Sequence, residues 1–414
     1  SDDTGLTWSQ ISGTGLPPDN EIGYASLHIH SVYTDQIYLV IGQSSVFGSG
    51  PMRGLFKSSD YGESFEEIHA DVDLMCYNPP YQNICQSWFA NTIAVSPADT
   101  NELFCGGTRF RKSIDGGYTW NTVDIDPGAS EYSLHPDHHQ TQFHPLTGDL
   151  IDCHDGGVGI SNDGALTWIS KSNGLITHQF YDIAVSETDP KRVIGGTQDV
   201  GAFTAIDATA GGWKNPINGD AFGSAIDHTN ENIWYITDLN YGRQKSTDAG
   251  GHWIQINSGT TGFHQWRMPI FLSPYDPNTL FSSENYSIYK SVNGGNYWNS
   301  VSSFGLIQSF AFDAENPDLM YASELWGNQI YRSENGGVTW ISVNSPPGYP
   351  VTDIISHPIE GNVLFATIGS FGSNDQVYRS DNAGNNWYSI SSGLPPVPMH
   401  ALAVDAFGPE VMYI

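Results

Sequence analysis

Short apolar segments recur along the whole chain, and many of them alternate between apolar and polar residues. Each repeat holds four such segments, here called strands A, B, C and D in chain order. Because no segment shows the apolar spacing of an amphipathic helix, the pattern predicts short antiparallel strands throughout. The segments predicted as strand B are Glu102–Gly106, Asn232–Thr237, Asp318–Ser323 and Asn362–Ile368; those predicted as strand C are Gly54–Ser58, Tyr286–Ser291, Gln329–Ser333 and Gln376–Ser380; those predicted as strand D are Trp120–Val123, Trp340–Val343 and Trp387–Ile390.

An eight-residue motif separates strands C and D, and it follows the pattern Ser-x-Asp/Asn-x-Gly-x-x-aromatic. Ser161–Trp168 carries Ala165 in the glycine position, and Ile206–Trp213 keeps only the glycine and the tryptophan. Successive aromatic residues lie about 40 to 57 residues apart, which is the period of propeller blades. The full copies are Ser1–Trp8, Ser58–Phe65, Ser113–Trp120, Ser246–Trp253, Ser291–Trp298, Ser333–Trp340 and Ser380–Trp387.

The chemistry of the motif is that of a turn. An Asp or Asn side chain can bond the backbone two residues further on, the glycine accepts a positive φ, and the Trp fills the space beside the hairpin. In this motif the chain resembles the Asp-box (bacterial neuraminidase repeat) propellers, which include sialidases, sortilin-type receptor domains and xyloglucanase-like glycoside hydrolases. The resemblance implies an all-β propeller of four-stranded antiparallel blades, but Asp-boxes are scaffold and imply no fixed function.

Counting the strands gives eight complete sets and a split one, in which Ala401–Asp405 and Glu410–Ile414 serve as strands A and B. We expect one Asp-box propeller over residues 1–414, with eight to ten blades in a single ring. Parts of two adjoining seven-bladed rings are the alternative. The last blade is then closed by both ends of the chain, or the segment is part of a longer secreted protein.

The chain of 414 residues has 15 basic against 45 acidic residues, a net charge of −30. Such a field repels nucleic acid and anionic membranes. The acidity either increases solubility or attracts Ca²⁺ or cationic partners. No stretch approaches 18 apolar residues, so we expect no insertion into a membrane. Together with four cysteines, this composition indicates a secreted, extracellular or cell-surface protein.

The cysteines suggest two disulfides. Cys76 and Cys85 bracket a short loop, which favours a local bond between them. Cys105 and Cys153 occupy equivalent strands of successive repeats, so neighbouring blades either join them or leave two buried thiols. No Cys-x-x-Cys pair with zinc spacing exists.

Histidine and aspartate concentrate in loops away from the motif turns. The run reads His135-Pro-Asp137-His138-His139, then His154-Asp155-Gly-Gly, Gly-Thr-Gln198-Asp199-Val-Gly and Asn-Gly-Asp220-Ala. It resembles His-x-Asp-x-His, Asp-Gly-Gly, Gly-x-Gln-Asp-x-Gly and Gly-Asp-Gly in secreted bacterial sortilin-like Asp-box proteins. The resemblance covers about residues 100–345, and Ala221 departs from it at the second glycine. In a propeller the motif turns lie at one side of the ring, and the B–C and D–A loops gather round the central opening at the other. We therefore expect these loops to form the functional face, here called the central face.

Paired carboxylates can cleave glycosides when they stand about 5–10 Å apart, which makes Asp155, Asp199 and Asp220 the candidate catalytic residues. The stretch Asp199–Phe203 also resembles the segment that carries a catalytic acid in xyloglucanase-like enzymes. That family sets its carboxylates across a cleft between two rings, whereas these candidates fall on consecutive blades. The alternative is structural, because an Asp flanked by glycine often caps a tight turn.

The histidine-rich loop also suggests a metal site. In an extended segment His135, Asp137 and His139 point to one side, with His154 opposite, and such ligands suit Zn²⁺. Hydrogen bonds between blades are the alternative role for these histidines. Ca²⁺ is a second candidate ion, in acidic loops that the sequence does not locate.

Aromatic side chains in the same loops favour a ligand that stacks on rings, while core packing is the alternative for each. Sialidase chemistry is excluded by the missing arginine triad and Arg-Ile-Pro signature, and Ser-His-Asp and phosphate-loop motifs are absent. We therefore expect binding of a glycan or protein at the central face, with a glycoside hydrolase acting on a β-glucan or xyloglucan-type polysaccharide, or a structural subunit of a surface assembly, as alternatives. The predicted ligand-binding residues are His138, His154, Gln198, Tyr241, Trp266, Tyr286 and Trp326.

Overall fold

The computed structural model describes residues 4–8, 14–44, 50–77, 84–125, 133–175, 178–262, 266–348, 350–372 and 374–414. These residues form eight four-stranded antiparallel sheets and a two-stranded sheet. Two short 3₁₀ helices, Asp19–Glu21 and Ala208–Ala210, are the helical segments among them. The all-β class and the four-stranded antiparallel blades predicted from the sequence are therefore confirmed.

The chain divides into two compact units, of which the first is Ser1–Thr177. The first unit contains three sheets, whose four strands follow one another in chain order. Sheet 1 comprises β1 (Ile22–Ile29), β2 (Ile37–Gln43), β3 (Met52–Ser58) and β4 (Glu66–Ile68); sheet 2 comprises β5 (Thr92–Val95), β6 (Leu103–Gly106), β7 (Phe110–Ser113) and β8 (Asn121–Thr122); sheet 3 comprises β9 (His138–Phe143), β10 (Leu150–His154), β11 (Gly157–Ser161) and β12 (Ile169–Ser170).

The second unit, His178–Ile414, contains the other six sheets. Its strands are β13 (Phe180–Val185), β14 (Val193–Thr197), β15 (Gly201–Ala205) and β16 (Lys214–Ile217) in sheet 4; β17 (Ala221–Ile226), β18 (Trp234–Asp238), β19 (Gly242–Ser246) and β20 (Ile254–Gln255) in sheet 5; β21 (Ile270–Leu272), β22 (Leu280–Glu284), β23 (Ser287–Ser291) and β24 (Asn299–Ser303) in sheet 6; β25 (Ile307–Phe312), β26 (Met320–Glu324), β27 (Ile330–Ser333) and β28 (Ile341–Val343) in sheet 7; β29 (Val351–Ser356), β30 (Leu364–Ile368), β31 (Val377–Ser380) and β32 (Tyr388–Ser389) in sheet 8; and β33 (Ala403–Val404) and β34 (Met412–Tyr413) in sheet 9.

The strand boundaries lie within one or two residues of the predicted ones. Strand β30, for example, begins at Leu364 rather than Asn362, and both the predicted and the observed strand end at Ile368. The three predicted fourth strands are each one or two residues shorter than expected; in the first of them, Trp120 donates its backbone N–H to the Asp71 carboxylate. The count of eight complete strand sets and a further A–B pair is confirmed for the described residues.

The repeated motif forms the turn between the third and fourth strands. Ser113 Oγ accepts the backbone N–H of Gly117 over 2.9 Å and donates to Asp115 Oδ1 over 2.8 Å. Asp115 Oδ1 in turn accepts the N–H groups of Tyr118 and Thr119, so the carboxylate reaches three and four residues on rather than the predicted two. These bonds hold the pKa of Asp115 down at about 2.

Positive φ angles are needed at the centre of each turn, and glycine is not the only residue that adopts them. Gly117 has φ +101°, and Ala165 takes φ +67° at the same position of its copy. The weak copy at Ile206–Trp213 does not form this turn, because Asp207 instead caps the 3₁₀ helix Ala208–Ala210 through the N–H groups of Thr209 and Ala210. Residues 1–3 of the first copy lie outside the described residues.

The hydrophobic core lies between adjacent sheets, as the motif tryptophans illustrate. Trp298 of sheet 6 is fully buried against Tyr235 and Ile256 of sheet 5. Its indole Nε1 donates to the Ile256 carbonyl over 2.6 Å. The predicted role of the Trp as a filler beside the hairpin is thus confirmed, and it extends to the space between sheets.

One of the two predicted disulfides forms. Cys76 and Cys85 are bonded, whereas Cys105 and Cys153 are free thiols, so the disulfide predicted for the second pair is absent and the free-thiol alternative holds. Phe104 and Cys105 are consecutive in β6 and therefore point to opposite faces. Phe104 packs toward sheet 3 and Cys105 packs among residues of sheet 1, which turns the thiol away from Cys153.

Candidate functional site

The first strands of successive sheets pack side by side, and side chains link them. In the second unit, Asp182 of β13 accepts the backbone N–H of Ser224 in β17 through Oδ2, over 2.8 Å. The same kind of link recurs in the first unit, where Thr92 Oγ1 accepts the N–H of Thr141 over 2.9 Å. These bonds fix the positions of the side chains that line the first strands.

The first strands of the sheets, here called the inner strands, surround a cavity of ≈ 200 Å³ in the second unit. Residues from the start of β13, β17, β21, β25 and β29, and from the segment before β33, contribute to its wall. The wall combines aromatic rings, amide and hydroxyl groups, two carboxylates, an arginine and a histidine. The lining residues are Tyr181, Asp182, Phe222, Gly223, Arg267, Met268, Pro269, Phe271, Gln308, Ser309, Leu325, Thr352, Asp353, His400 and Ala401.

Two carboxylates, Asp182 and Asp353, lie deep in this wall. Asp353 accepts Ser309 Oγ over 2.6 Å through Oδ1 and the N–H of Leu402 over 3.2 Å through Oδ2. Burial, with a smaller contribution from the charge of Asp353, raises the pKa of Asp182 to about 6, although hydrogen bonds from Ser224 and Ile183 oppose the shift. Burial also raises the pKa of Asp353. Both groups thus resist ionisation in the absence of a cationic partner.

Tyr181 connects the cavity to two of the predicted ligand-binding residues. Its hydroxyl donates to Gln198 Oε1 over 2.8 Å, and its ring meets the edge of Trp266 at 6.1 Å. Trp266 also packs against Phe222 at 5.6 Å and keeps 38% of its surface exposed. The guanidinium of Arg267 lies 5.2 Å from the Tyr181 ring centre. Gln198 and Trp266 therefore adjoin the cavity.

The structure also brings Asp199 and Asp220 together. Asp220 Oδ1 accepts the backbone N–H of Asp199 over 3.0 Å, and Asp199 adopts φ +65°. Burial raises the pKa of Tyr181, and the charges of Asp220 and Asp199 add to that shift, so both carboxylates lie near this ring. Asp220 thus has the turn-capping role of the structural alternative. Asp155, the third predicted catalytic residue, belongs to the first unit.

The remaining predicted aromatic residues are exposed in turns between second and third strands. Tyr241, Tyr286 and Trp326 are each more than half exposed, as stacking on a ligand requires. Tyr286 and Trp326 have φ near +60°, which places them at the tips of tight turns. None of these three lines the cavity, and Trp266 adjoins it only through its contacts with Tyr181 and Phe222.

In the first unit the histidines pair with aspartates. His138 Nδ1 lies 2.6 Å from Asp152 Oδ2, and both side chains are fully buried. His139 Nε2 lies 2.5 Å from Asp155 Oδ1, and this bond raises the pKa of His139. Because His138 is sealed in the core, it does not reach a ligand at the surface, contrary to its predicted role.

His154 packs between other histidines, with ring centres 6.0 Å from His138 and 6.4 Å from His135. Burial lowers the pKa of His154 to about 4, so the imidazole is neutral at physiological pH. Three polar atoms of this cluster, Asp137 Oδ1, His138 Nε2 and His154 Nδ1, are buried without a hydrogen-bond partner among the described residues.

The predicted metal triad is not assembled. The prediction assumed an extended segment from His135 to His139, but Asp137 adopts φ +64° and β9 begins only at His138. His135 Nδ1 instead lies 3.0 Å from the Pro136 carbonyl oxygen, and His139 pairs with Asp155. Within the described ranges no three His, Cys, Asp or Glu side chains are placed to hold a metal ion.

The buried carboxylates of the cavity were not predicted from the sequence. Asp182 and Asp353 each stand at the third position of a first strand, just after a register shift in the pairing with the second strand. The recurrence of an Asp at this position in two repeats was the available signal. This recurrence was not sufficient by itself, because the sequence does not show whether an aspartate in a strand faces a cavity.

No protein-family model matches the chain. Part of it is 23% identical over 188 residues to vacuolar protein sorting/targeting protein 10 of Clavispora lusitaniae, a match over 39% of this chain and 12% of the relative. The match therefore spans a small part of that protein's length. Together with the repeated four-stranded sheets, it agrees with the Asp-box propeller resemblance.

Three solved structures are similar at low TM-scores. The GH74 enzyme of Niastella koreensis matches with TM-score 0.28 and 16% identity, over 88% of this chain and 64% of its own. The GH74 xyloglucanase of Xanthomonas campestris matches with 0.27 and 14%, over 88% and 72%. A chain of the mitotic checkpoint complex matches with 0.36 and 10%, over 68% and 84%.

Among the described residues, no helix has the length and apolar character to cross a membrane.

Proposed function

We propose that the chain is a ligand-binding propeller domain whose ligand, a protein segment or a glycan, enters the cavity of the second unit. The observation that carries this proposal is the composition of the cavity wall. Aromatic rings, carboxylates, an amide and an arginine converge on one concave space, whose lining residues come from seven segments of the chain. Mixed apolar and polar walls of this kind are typical of binding sites, since a structural core excludes unpaired polar groups.

Rigid support of the wall favours binding as well. Asp182 is held by the backbone N–H of Ser224 in β17, Asp353 by that of Leu402 just before β33, and Tyr181 by Gln198. Groups fixed before the ligand arrives lose little freedom on binding, which increases affinity. Trp266 supplies a half-exposed ring beside the opening, where a sugar or an apolar side chain can stack.

The proposal also covers location and partners. The Cys76–Cys85 disulfide supports an oxidising compartment, either extracellular or within the secretory pathway. The similarity to a protein named for sorting and targeting supports a protein ligand. The net charge of −30 argues against nucleic acid as the partner.

Binding is tested with the whole chain against a panel of oligosaccharides and short peptides, measured by calorimetry. Trp266→Ala is expected to weaken the ligand that binds by at least about tenfold, as expected for loss of a stacking ring. Phe407→Ala is the matched control, because Phe407 is a fully exposed ring in the same unit. Equal affinities of wild type and the Trp266 variant would contradict the proposal, as would a panel in which nothing binds.

A glycoside hydrolase is the second candidate, favoured by the proximity of Asp199 and Asp220. The assay is release of reducing ends from β-glucans and xyloglucan by wild type and by Asp199→Asn. Activity in wild type that the variant lacks supports catalysis. Equal release, or none from either protein, removes this candidate and leaves the binding proposal untouched.

The third alternative, a subunit of a surface assembly, would require apolar patches on the fourth strands of the sheets, here called the outer strands. Each of four outer strands does expose a large apolar side chain: Ile169, Ile254, Ile341 and Tyr388. One such residue per strand is ordinary for a soluble surface and does not make a patch. Assembly therefore gains no support from these strands.

A further inference from the structure

We propose that the cavity of the second unit binds the ammonium or guanidinium group of a basic side chain carried by a polypeptide ligand. This inference rests on the proposed binding function and specifies the chemistry of the ligand. It is based on the two carboxylates of the wall, Asp182 and Asp353, and on the net negative charge of the chain.

Neither carboxylate has a cationic partner among the residues that the structure describes. Within the part of the chain that the structure describes, no ion pair includes Asp182 or Asp353; Arg267 also lines the cavity, with its guanidinium over the Tyr181 ring. A buried carboxylate without a counter-charge is costly, because hydrogen bonds replace only part of its hydration. The raised pKa of Asp182 agrees with that cost. A cation in the cavity would supply the missing charge to both groups.

The two carboxylates are held ready for such a group. Asp182 of β13 is fixed by the backbone N–H of Ser224 in β17, and Asp353 of β29 by that of Leu402, just before β33. Asp353 Oδ2 accepts only the Leu402 N–H among the described contacts, so it retains capacity for a second donor. An ammonium with three donors, or a guanidinium with five, matches this unused capacity.

The dimensions favour a single side chain. A cavity of ≈ 200 Å³ is smaller than the roughly 300–1,000 Å³ of ordinary small-molecule sites. It is therefore suited to one lysine or arginine side chain rather than to a chain of sugars. The rings of Tyr181 and Phe222, whose centres lie 5.4 Å apart in the cavity wall, offer apolar surface to the methylene stem and π faces to the charge.

The charge of the whole chain acts in the same direction. With 45 acidic and 15 basic residues, the surrounding field attracts basic polypeptides and repels acidic ones. Long-range attraction of this kind weakens as the ionic strength rises. Binding of a basic segment should therefore become weaker with added salt.

The test uses the full chain and three defined peptides, in which a lysine, an arginine or a glutamine is flanked by glycine and both ends are blocked. Calorimetry is expected to show binding of the lysine and arginine peptides at least about tenfold tighter than of the glutamine peptide. Asp353→Asn should remove that preference. Asp318→Asn, an exposed aspartate of the same unit, should keep it.

A second variant separates loss of the carboxylate from loss of folding. Ala401→Phe places a bulky ring at the cavity wall and leaves both carboxylates in place. Circular dichroism and the unfolding midpoint show whether this variant is folded. The folded variant is expected not to bind the lysine and arginine peptides. Retained binding in this variant would overturn the cavity as the site.

The outcomes distinguish this inference from the binding proposal. If the glutamine peptide binds as tightly as the lysine peptide, the cavity binds a ligand but the cationic specificity is refuted. The same holds if oligosaccharides bind in a manner that depends on Trp266 while no basic peptide does. If no peptide and no oligosaccharide binds, both proposals are refuted.

Discussion

Lys245 of β19 donates a hydrogen bond from Nζ to the backbone oxygen of Gly294, which lies in the motif turn of the next sheet, over 3.0 Å. Its ammonium also lies 5.3 Å from the Tyr235 ring centre. Lys245 directly precedes the motif serine, and Gly294 is the fourth residue of the following copy. The contact therefore joins two successive repeats through fixed positions of the motif.

The same relationship recurs along the chain. A basic residue before the motif serine reaches the fourth residue of the next copy in four pairs, and the carbonyl accepts within about 3 Å each time. A bond from a charged donor to a backbone carbonyl is stronger than a neutral one. The pairs are Lys112 with Gly164, Lys245 with Gly294, Lys290 with Gly336, and Arg332 with Ala383.

The first prediction concerns this link. Lys290→Met keeps the length of the side chain but removes the donor to Gly336, which is 2.7 Å away. We expect a loss of about 1–2 kcal/mol in the free energy of unfolding, as for other partly exposed bonds from charged groups. Urea denaturation measures it. Lys214→Met, an exposed lysine of β16, is the control and should change stability little, and equal losses in both variants would contradict the prediction.

The second prediction concerns the buried ion pair of Arg243 and Glu284, whose Nη1 and Oε2 atoms lie 2.6 Å apart. Both side chains are fully buried, so Arg243, one of the few arginines near the predicted face, is sealed from any substrate. Arg243→Met leaves the Glu284 carboxylate buried without its partner. We expect a loss of roughly 3–5 kcal/mol, measured by urea denaturation.

A double variant identifies the cause of that loss. Arg243→Met combined with Glu284→Leu removes both charges and should recover much of the stability, because the cost arises from the unpaired carboxylate. If the double variant is as unstable as the sum of the two single ones, the pair does not act as a unit and the prediction is wrong.

The third prediction concerns pH. Burial raises the pKa of Asp182 to about 6 in the folded state, above its ordinary value of 3.8. The folded state therefore holds this proton more tightly than the unfolded state, so stability from this group is present at low pH and declines as pH rises from about 4 to 6. Asp182→Asn removes the titration, and its stability relative to wild type should rise by about 2–3 kcal/mol across that window.

Urea denaturation at a series of pH values between 4 and 7 measures the difference. Asp318→Asn, which replaces an exposed carboxylate, serves as the control and should give a curve parallel to that of wild type. A curve for Asp182→Asn that is also parallel to wild type would show that the carboxyl titrates normally.

The fourth prediction concerns the thiols. The unfolded, unreduced protein should react with two equivalents of a thiol reagent, because Cys76 and Cys85 are bonded and Cys105 and Cys153 are free. In the folded protein Cys153, which is half-buried, should react before Cys105, which has no exposed surface and whose pKa burial raises to about 12. Fewer than two equivalents in the unfolded protein would indicate a second disulfide.

The sequence by itself determined the blades. Strand alternation and the motif from Ser113 to Trp120 depend on contacts between near neighbours, such as Ser113 with Gly117, so a local pattern was enough to place strands and turns. The sequence also predicted the disulfide between Cys76 and Cys85, because these cysteines are only nine residues apart in the chain. Local interactions explain why these predictions hold.

Tertiary structure decided where the chemistry lies. Asp182 and Asp353 are separated by most of the second unit in the chain, and only the convergence of inner strands places both on one cavity. Asp137 adopts a left-handed conformation, which separates the histidines that an extended segment would have placed on one side. Cys105 points toward sheet 1 and therefore away from Cys153. Such outcomes depend on the packing of sheets against one another, which is set by contacts between residues far apart in the sequence.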